Sequence, residues 1–92
     1  MQDVAHRSFT VFPVPVTEGR FTIAFDAVKA DEVMDLELLD ALGRRVWSGR
    51  SFVSEGSSMV PVDLGEPSCT GVHFLVLRTG DRSYTERILL TR

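Results

Sequence analysis

Few side chains in this sequence belong to the types that perform chemistry, and their spacing favours structural roles. Cys69 is the only cysteine, and a cysteine nucleophile needs a histidine brought close to it. His73 follows four residues later, but a loop cysteine and a strand histidine at this separation have no fixed geometry for such a pair. His6 precedes the first predicted strand, where we expect a solvated side chain. We therefore predict no catalytic residue and no enzyme activity.

Metal and cofactor binding have equally weak signals. Two histidines and one cysteine are too few for a four-ligand zinc site. One acidic cluster has a spacing unlike that of an EF-hand calcium loop, and solvated turn charge explains it: Asp26, Asp31, Glu32 and Asp35. The glycines stand singly at predicted turns, unlike those of a phosphate-binding loop. The sequence predicts neither a metal site nor a cofactor.

Aromatic residues offer a different kind of site. Trp47, Phe52 and Tyr84 would form a platform for stacking sugars if they lay together on an exposed sheet face. Packing in the core explains the same three residues without any ligand. The sequence alone leaves both interpretations open, with core packing the simpler one.

Composition limits the classes of protein to which the chain can belong. Its 92 residues suit one domain, and 43% hydrophobic with 25% charged residues is typical of a globular chain. The net charge is −3 and no basic run exceeds Arg44-Arg45, so we do not expect nucleic acid as a partner. No stretch has the length and apolarity of a membrane-spanning helix, and residues 1–20 lack the apolar core of a secretory signal peptide.

Short apolar runs separated by turn-forming residues predict about seven β-strands. The runs cover residues 8–12, 20–26, 33–40, 44–52, 58–64, 72–79 and 83–91. Apolar residues alternate with polar ones in most runs, whereas 72–79 is apolar almost throughout, which is typical of a central strand covered on both faces. A helix over 30–42 is the competing interpretation, and the neighbouring hairpins favour a strand. The predicted fold is all-β, an immunoglobulin-like antiparallel β-sandwich.

Three local features refine this prediction. Prolines 13, 15 and 61 cannot donate to a sheet ladder, so the strands beside them should be edge strands or lead into bends. Val46 and Trp47 point to opposite faces of their strand, so we expect at least one of them to be covered by something other than the main core. Unpaired strand edges also make an edge-strand dimer an expectation.

Five segments follow one another in an order that resembles a known family. They are Val11 to Val16, Gly19 to Ile23, Leu36 to Val46, Gly71 to Leu75 and Tyr84 to Arg92. Their sequences resemble, in turn, an apolar-aromatic segment with Pro-Asn-Pro, a strand opened by glycine, a hairpin with an Asp-x-x-Gly-Arg turn, a Gly-Val-Tyr strand, and a closing strand with basic residues. The family is the type A C-terminal sorting domain of type IX secretion system (Por secretion system) cargo proteins in Bacteroidetes.

The chain departs from the family pattern at three places. Val14 stands where asparagine is usual, His73 where tyrosine is usual, and the lead-in from Pro67 to Thr70 is longer than the common one. These departures affect loop detail. The resemblance covers residues 9–92, so we expect 1–8 to be a linker or remainder and 9–92 to be the sorting domain.

The resemblance implies a non-catalytic secretion signal that directs a larger cargo protein across the outer membrane. Its expected partners are the outer-membrane type IX machinery, a sortase-like peptidase that removes the domain or exchanges it for an anchor, and an upstream passenger domain. The expected location is the periplasm in transit, then the cell surface or medium. The alternative is an accessory carbohydrate- or protein-binding module of a secreted protein.

The same resemblance points to the residues that would be recognised. They are two glycines, one turn arginine and the terminal segment: Gly43, Arg44, Gly71, Arg87, Ile88, Leu89, Leu90, Thr91 and Arg92. We expect the last strand to offer unpaired backbone groups for strand addition, and its arginines to offer charge for docking. Turn geometry alone also explains Gly43 and Gly71.

Overall fold

This computed structural model describes residues 9–65, 70–80 and 82–91, and these residues form eight β-strands and no helix. The all-β prediction is confirmed, and Glu32–Leu39 is a strand rather than the competing helix. The structure has one strand more than the seven predicted. This additional strand is Val16–Thr17, after the proline-rich bend, and its two residues are too few to give a sequence signal. The predicted linker 1–8, with His6 inside it, and the positions of Cys69 and Arg92 lie outside the described residues.

The strands run as follows in chain order. They are β1 Phe9–Phe12, β2 Val16–Thr17, β3 Arg20–Phe25, β4 Glu32–Leu39, β5 Arg45–Val53, β6 Met59–Asp63, β7 Gly71–Thr79 and β8 Arg82–Thr91. Glycine or proline interrupts the chain between most of them, because these residues suit turns better than ladders. Thr79 and Arg82 face each other across the predicted tight hairpin.

Two sheets form the sandwich. One has the order β1-β3-β6 and the other the order β2-β8-β7-β4-β5. All pairs are antiparallel except β2 with β8, which is parallel, so the sandwich is not purely antiparallel. Strands β4, β7 and β8 lie side by side although β5 and β6 intervene in sequence, which is the Greek-key, immunoglobulin-like arrangement with an added strand at one edge.

Alternating side chains from both sheets fill the space between them. Met34, Leu36 and Leu38 of β4 are buried, and the residues between them face outward. Ile23 and Leu75 supply fully buried side chains from the facing sheets. Each such side chain contributes about 1.5–3 kcal/mol of burial free energy, most of which offsets the entropy lost on folding.

Prolines occupy the edges, as predicted. β1 and β6 are the two edges of the three-stranded sheet, and β6 carries Pro61. The chain leaves β1 at Pro13 and enters the second sheet at β2, so the prolines mark the corner where it changes sheet. A missing N–H costs nothing where no neighbouring strand needs it.

Two sequence-based expectations concern coverage, and only one of them is wrong. β7 is the central strand of its sheet, and its outer face is covered in part: Val76 is buried, whereas Val72 is 41% exposed. The expectation for β5 is wrong, because Val46 is 44% exposed rather than covered by a second cluster. The pairing of β4 with β5 shifts by one residue between Leu38 and Leu39, so Val46 is the extra residue of a β-bulge and has no facing partner.

Candidate recognition surface

The turn between β4 and β5 is held by one carboxylate. Asp40 Oδ1 accepts hydrogen bonds from the backbone N–H groups of Leu42 and Arg44, both at 2.9 Å, and Oδ2 accepts one from Arg44 Nε at 2.9 Å. The backbone N–H of Arg44 is the main cause that lowers the pKa of Asp40, followed by its guanidinium. Gly43 has a φ of +86°, which disfavours other residues. Part of the Arg44 charge is therefore used inside the turn.

Gly71 opens β7 with a φ of +110°, and an added Cβ there would meet no other atom. The need for glycine is therefore one of backbone conformation. Two residues later, His73 is buried, and its Nδ1 lies 3.0 Å from the Gly71 carbonyl oxygen. A carbonyl only accepts, so Nδ1 carries the proton, and this contact supports a structural role for His73.

The terminal strand β8 belongs to the core on one side and faces outward on the other. Ile88 and Leu90 are buried, whereas Arg87 is exposed and Leu89 is 38% exposed. Among the described residues Arg87 makes no ion pair. Within residues 87–91, which the structure describes, the side chains that a partner could reach therefore alternate with buried ones.

The open edge expected along the last strand is present only before Leu90. β2 already pairs in parallel with the end of β8, Val16 facing Leu90 and Thr17 facing Thr91. Thr91 Oγ1 also lies 3.5 Å from the Val16 carbonyl oxygen. Before Leu90, no described strand lies on the outer side of β8, so the open part of this edge is Arg82 to Leu89.

Strand register brings the predicted residues to one end of the five-stranded sheet. Leu39, just before the turn that holds Gly43 and Arg44, faces Phe74 of β7, which faces Arg87 of β8. Gly71 faces Leu90 at the same end. Because neighbouring strands lie about 4.8 Å apart, β4 and β8 are about 10 Å apart here. We call the turn 40–44, Gly71 and residues 87–91 the terminal surface.

A network of charges that was not predicted from the sequence covers part of the outer face of this sheet. Glu37 Oε1 accepts a hydrogen bond from Arg78 at 3.0 Å, and Oε2 one from Arg45 at 3.3 Å. Asp35 accepts one from Arg50 at 2.7 Å. The hydrogen bond from Arg78 is the main cause that lowers the pKa of Glu37. The alternation of acidic and apolar residues in β4 was the available signal.

The proposed aromatic platform is wrong, because the three residues do not share a face. Trp47 and Tyr84 pack against the core, and Tyr84 contacts Phe9 edge to face with ring centroids 6.2 Å apart. Phe52 lies on the outer face of β5 and is 68% exposed. A flat row of aromatic rings for sugar stacking is therefore not formed by these residues.

The acidic cluster of the sequence is also dispersed. Asp31 accepts a hydrogen bond from the backbone N–H of Glu55 at 2.8 Å, while Asp35 binds Arg50. Within the described residues, no three histidine, cysteine or acidic side chains are grouped as metal ligands. Nor do these residues contain a helix long and apolar enough to cross a membrane.

Comparison with known proteins adds no assignment. No protein-family model matches the chain, and no curated protein matches it at a significant level. The sequence motifs and the arrangement of the terminal surface are therefore the observations that bear on function.

Proposed function

We propose that this chain is a non-catalytic C-terminal sorting domain, which directs a larger cargo protein across the outer membrane through the type IX secretion system. The observation that carries the proposal is the terminal surface. Three segments that resemble family motifs, the turn at Gly43, the start of β7 at Gly71 and the end of β8, are remote in sequence and lie at one end of one sheet. A single partner could therefore contact all three.

The exposed charge and the free backbone groups at this surface are suited to binding a protein partner. Arg87 is exposed and makes no ion pair within the described residues, so its charge is available for a carboxylate of a partner. The outer edge of β8 before Leu90 offers backbone groups for strand addition. A sortase-like peptidase and the secretion machinery are the partners that the proposal implies, with the periplasm and then the cell surface or medium as locations.

The test is export of a fluorescent reporter that carries an ordinary export signal and this domain at its C-terminus, in a type IX-competent bacterium. Deleting residues 87–92 would remove Ile88 and Leu90 from the core, so deletion cannot separate recognition from folding. Arg87→Glu changes an exposed charge and leaves the core intact. Lys29→Glu is the matched control, because it makes the same charge change in the exposed loop before β4, at the other end of the sheet.

We expect the unmodified fusion and Lys29→Glu to reach the surface or medium, and Arg87→Glu to accumulate in the periplasm. Retention of the unmodified fusion with a folded domain would overturn the sorting function and leave a carbohydrate- or protein-binding module as the hypothesis to test by glycan screening. Export of both variants would remove Arg87 from the recognised residues.

A further inference from the structure

The free sheet edges of this domain differ in how well they are protected. β1 has four residues and leads into Pro13, β6 contains Pro61, and β2 has two residues. Short strands and prolines are devices that prevent edge-to-edge pairing. β5, Arg45–Val53, is nine residues long, contains no proline and pairs with only β4 among the described strands.

Charge does not protect β5 either. Its two arginines contact carboxylates of the adjacent strand β4: Arg50 binds Asp35 at 2.7 Å and Arg45 binds Glu37 at 3.3 Å. These contacts draw both guanidinium groups over the sheet and away from the free edge, and they neutralise the charge that would repel a second strand.

Backbone hydrogen bonding shows which groups face the free edge. The Asp40 N–H donates to the Arg44 carbonyl oxygen at 2.8 Å, so even-numbered residues of β4 direct their backbone groups at β5. Leu36 faces Gly49 and Met34 faces Ser51, so the backbone N–H and C=O groups of Gly49 and Ser51 point at β4. By alternation, the N–H and C=O groups of Ser48, Arg50 and Phe52 point away from the sheet.

We propose that β5 pairs with β5 of a second copy of this chain, antiparallel and centred on Gly49. In this register Ser48 lies opposite Arg50 of the second copy, and their outward backbone groups form hydrogen-bonded pairs on both sides of the centre. Val46 lies opposite Phe52, so two exposed apolar side chains, 44% and 68% exposed, cover each other. The two five-stranded sheets become one continuous sheet.

Neighbouring registers are less favourable. A pairing centred on Arg50 places two arginines directly opposite each other, and a pairing centred on Ser48 places Val46 opposite Arg50. Registers shifted by one residue would place side chains that face the core opposite side chains that face outward from the sandwich. The register on Gly49 alone joins apolar with apolar and keeps the arginines apart.

The contact is small and reversible, because one strand pair buries less area than a standard protein interface and the bulge at Val46 limits its length. It lies at the opposite edge of the sheet from β8, so it does not depend on the proposed sorting function. A domain that dimerises through β5 keeps residues 87–91 of the terminal surface open, because β8 lies on the other side of the sheet.

The test is sedimentation velocity of the 92-residue chain over a concentration series, with substitutions at Ser48. Ser48→Pro removes a free-edge N–H that β4 does not use, so it should preserve the fold and abolish the dimer. Ser48→Thr is its control and should keep the dimer. Ser48→Glu places a carboxylate opposite Arg50 of the second copy twice per dimer, whereas Ser48→Arg places like charges there.

We expect the dimer dissociation constant to fall by about 2- to 30-fold in Ser48→Glu and to rise by a similar factor in Ser48→Arg, the range for two cross-strand charge pairs. Within one chain Ser48 faces Glu37, so effects on folding have the opposite sign and cannot imitate this result. A chain that stays monomeric throughout the series, or a dimer unchanged by Ser48→Pro, would overturn the proposal. Equal effects of Glu and Arg would overturn the Gly49 register.

Discussion

The two long edges of the five-stranded sheet use similar residues in different ways. On β5 both arginines bind carboxylates of β4, and the most exposed large hydrophobic side chain is Phe52. On β8 Arg87 makes no ion pair within the described residues, and the end of the strand already has β2 as a partner. One edge thus has its charge neutralised inside the domain, and the other keeps an available charge.

Exposure alone therefore does not identify a docking residue. Arg45, Arg50 and Arg87 are all exposed arginines on edge-proximal strands, yet only Arg87 can offer its full charge to a partner. An apolar self-contact is favoured where charge has been neutralised, and a polar contact where it has not.

The largest effect should come from the core side of β8. Leu90→Ala should lower the free energy of unfolding by about 2–5 kcal/mol, because it removes a fully buried side chain at a position fixed by β7 and β2. Leu89→Ala, on the outer face of the same strand, should change it by less than about 0.5 kcal/mol. Urea denaturation measures both. Equal losses would mean that Leu90 does not face the core and Leu89 the outside, as the structure describes.

The next effect concerns the inner face of β5. A Cβ at Gly49 would lie 2.7 Å from Trp47 Cη2 and 2.9 Å from Cζ2, so Gly49→Ala forces the indole ring to move. We expect a loss of about 1 kcal/mol, at the low end of overpacking costs, and a shift of tryptophan emission to longer wavelength. Trp47 is the only tryptophan, so fluorescence reports on it directly. Unchanged emission with higher stability would contradict the contact.

Most of the fold could be predicted from the sequence, because alternation and turn residues report on local backbone preference. β3 and β4 alternate clearly, and prolines 13, 15 and 61 mark edges and a corner in the structure as in the prediction. β2 could not be predicted, since two residues carry no periodicity. Its parallel pairing with the end of β8 joins segments remote in sequence, which a local pattern does not encode.

The candidate site was less predictable for the same reason. Gly43 and Gly71 were singled out by the resemblance, and their positive φ agrees with turn geometry, but their position at one end of the sheet follows from register. The pairing of Glu37 with Arg78 spans 41 residues, and no spacing rule connects them. Nor could the sequence show that a bulge would leave Val46 exposed on β5.

A smaller effect should appear in acid. Hydrogen bonds from Arg78 lower the pKa of Glu37, and those from the Arg44 backbone lower the pKa of Asp40. Both carboxylates therefore contribute stability that is complete above their unfolded pKa of about 4 and is lost as pH falls through the lower folded pKa. The variant Glu37→Gln with Asp40→Asn should be less stable at neutral pH and lose less on acidification.

Thermal unfolding between neutral pH and about pH 3 measures this difference, since the range extends below the unfolded pKa of carboxylates. If the double variant lost stability on acidification as steeply as the parent chain, other carboxylates would carry the acid response. The ionic network on β4 and β5 would then hold its arginines less tightly than the distances indicate, and the contrast between the two edges would weaken.

The smallest expected effect is the difference in free energy of unfolding between substitutions of Arg50 and Arg87. Arg50→Gln breaks the 2.7 Å contact with Asp35 and should cost about 0.5 kcal/mol, the middle of the range for exposed ion pairs, with the loss reduced by salt. Arg87→Gln should leave the free energy of unfolding unchanged at every salt concentration, because no described residue pairs with it. A salt-dependent loss for Arg87 equal to that for Arg50 would mean that its charge is already used within the domain. Arg87 would then have no surplus charge to offer a docking partner, and the case for recognition would rest on the backbone edge of β8 alone.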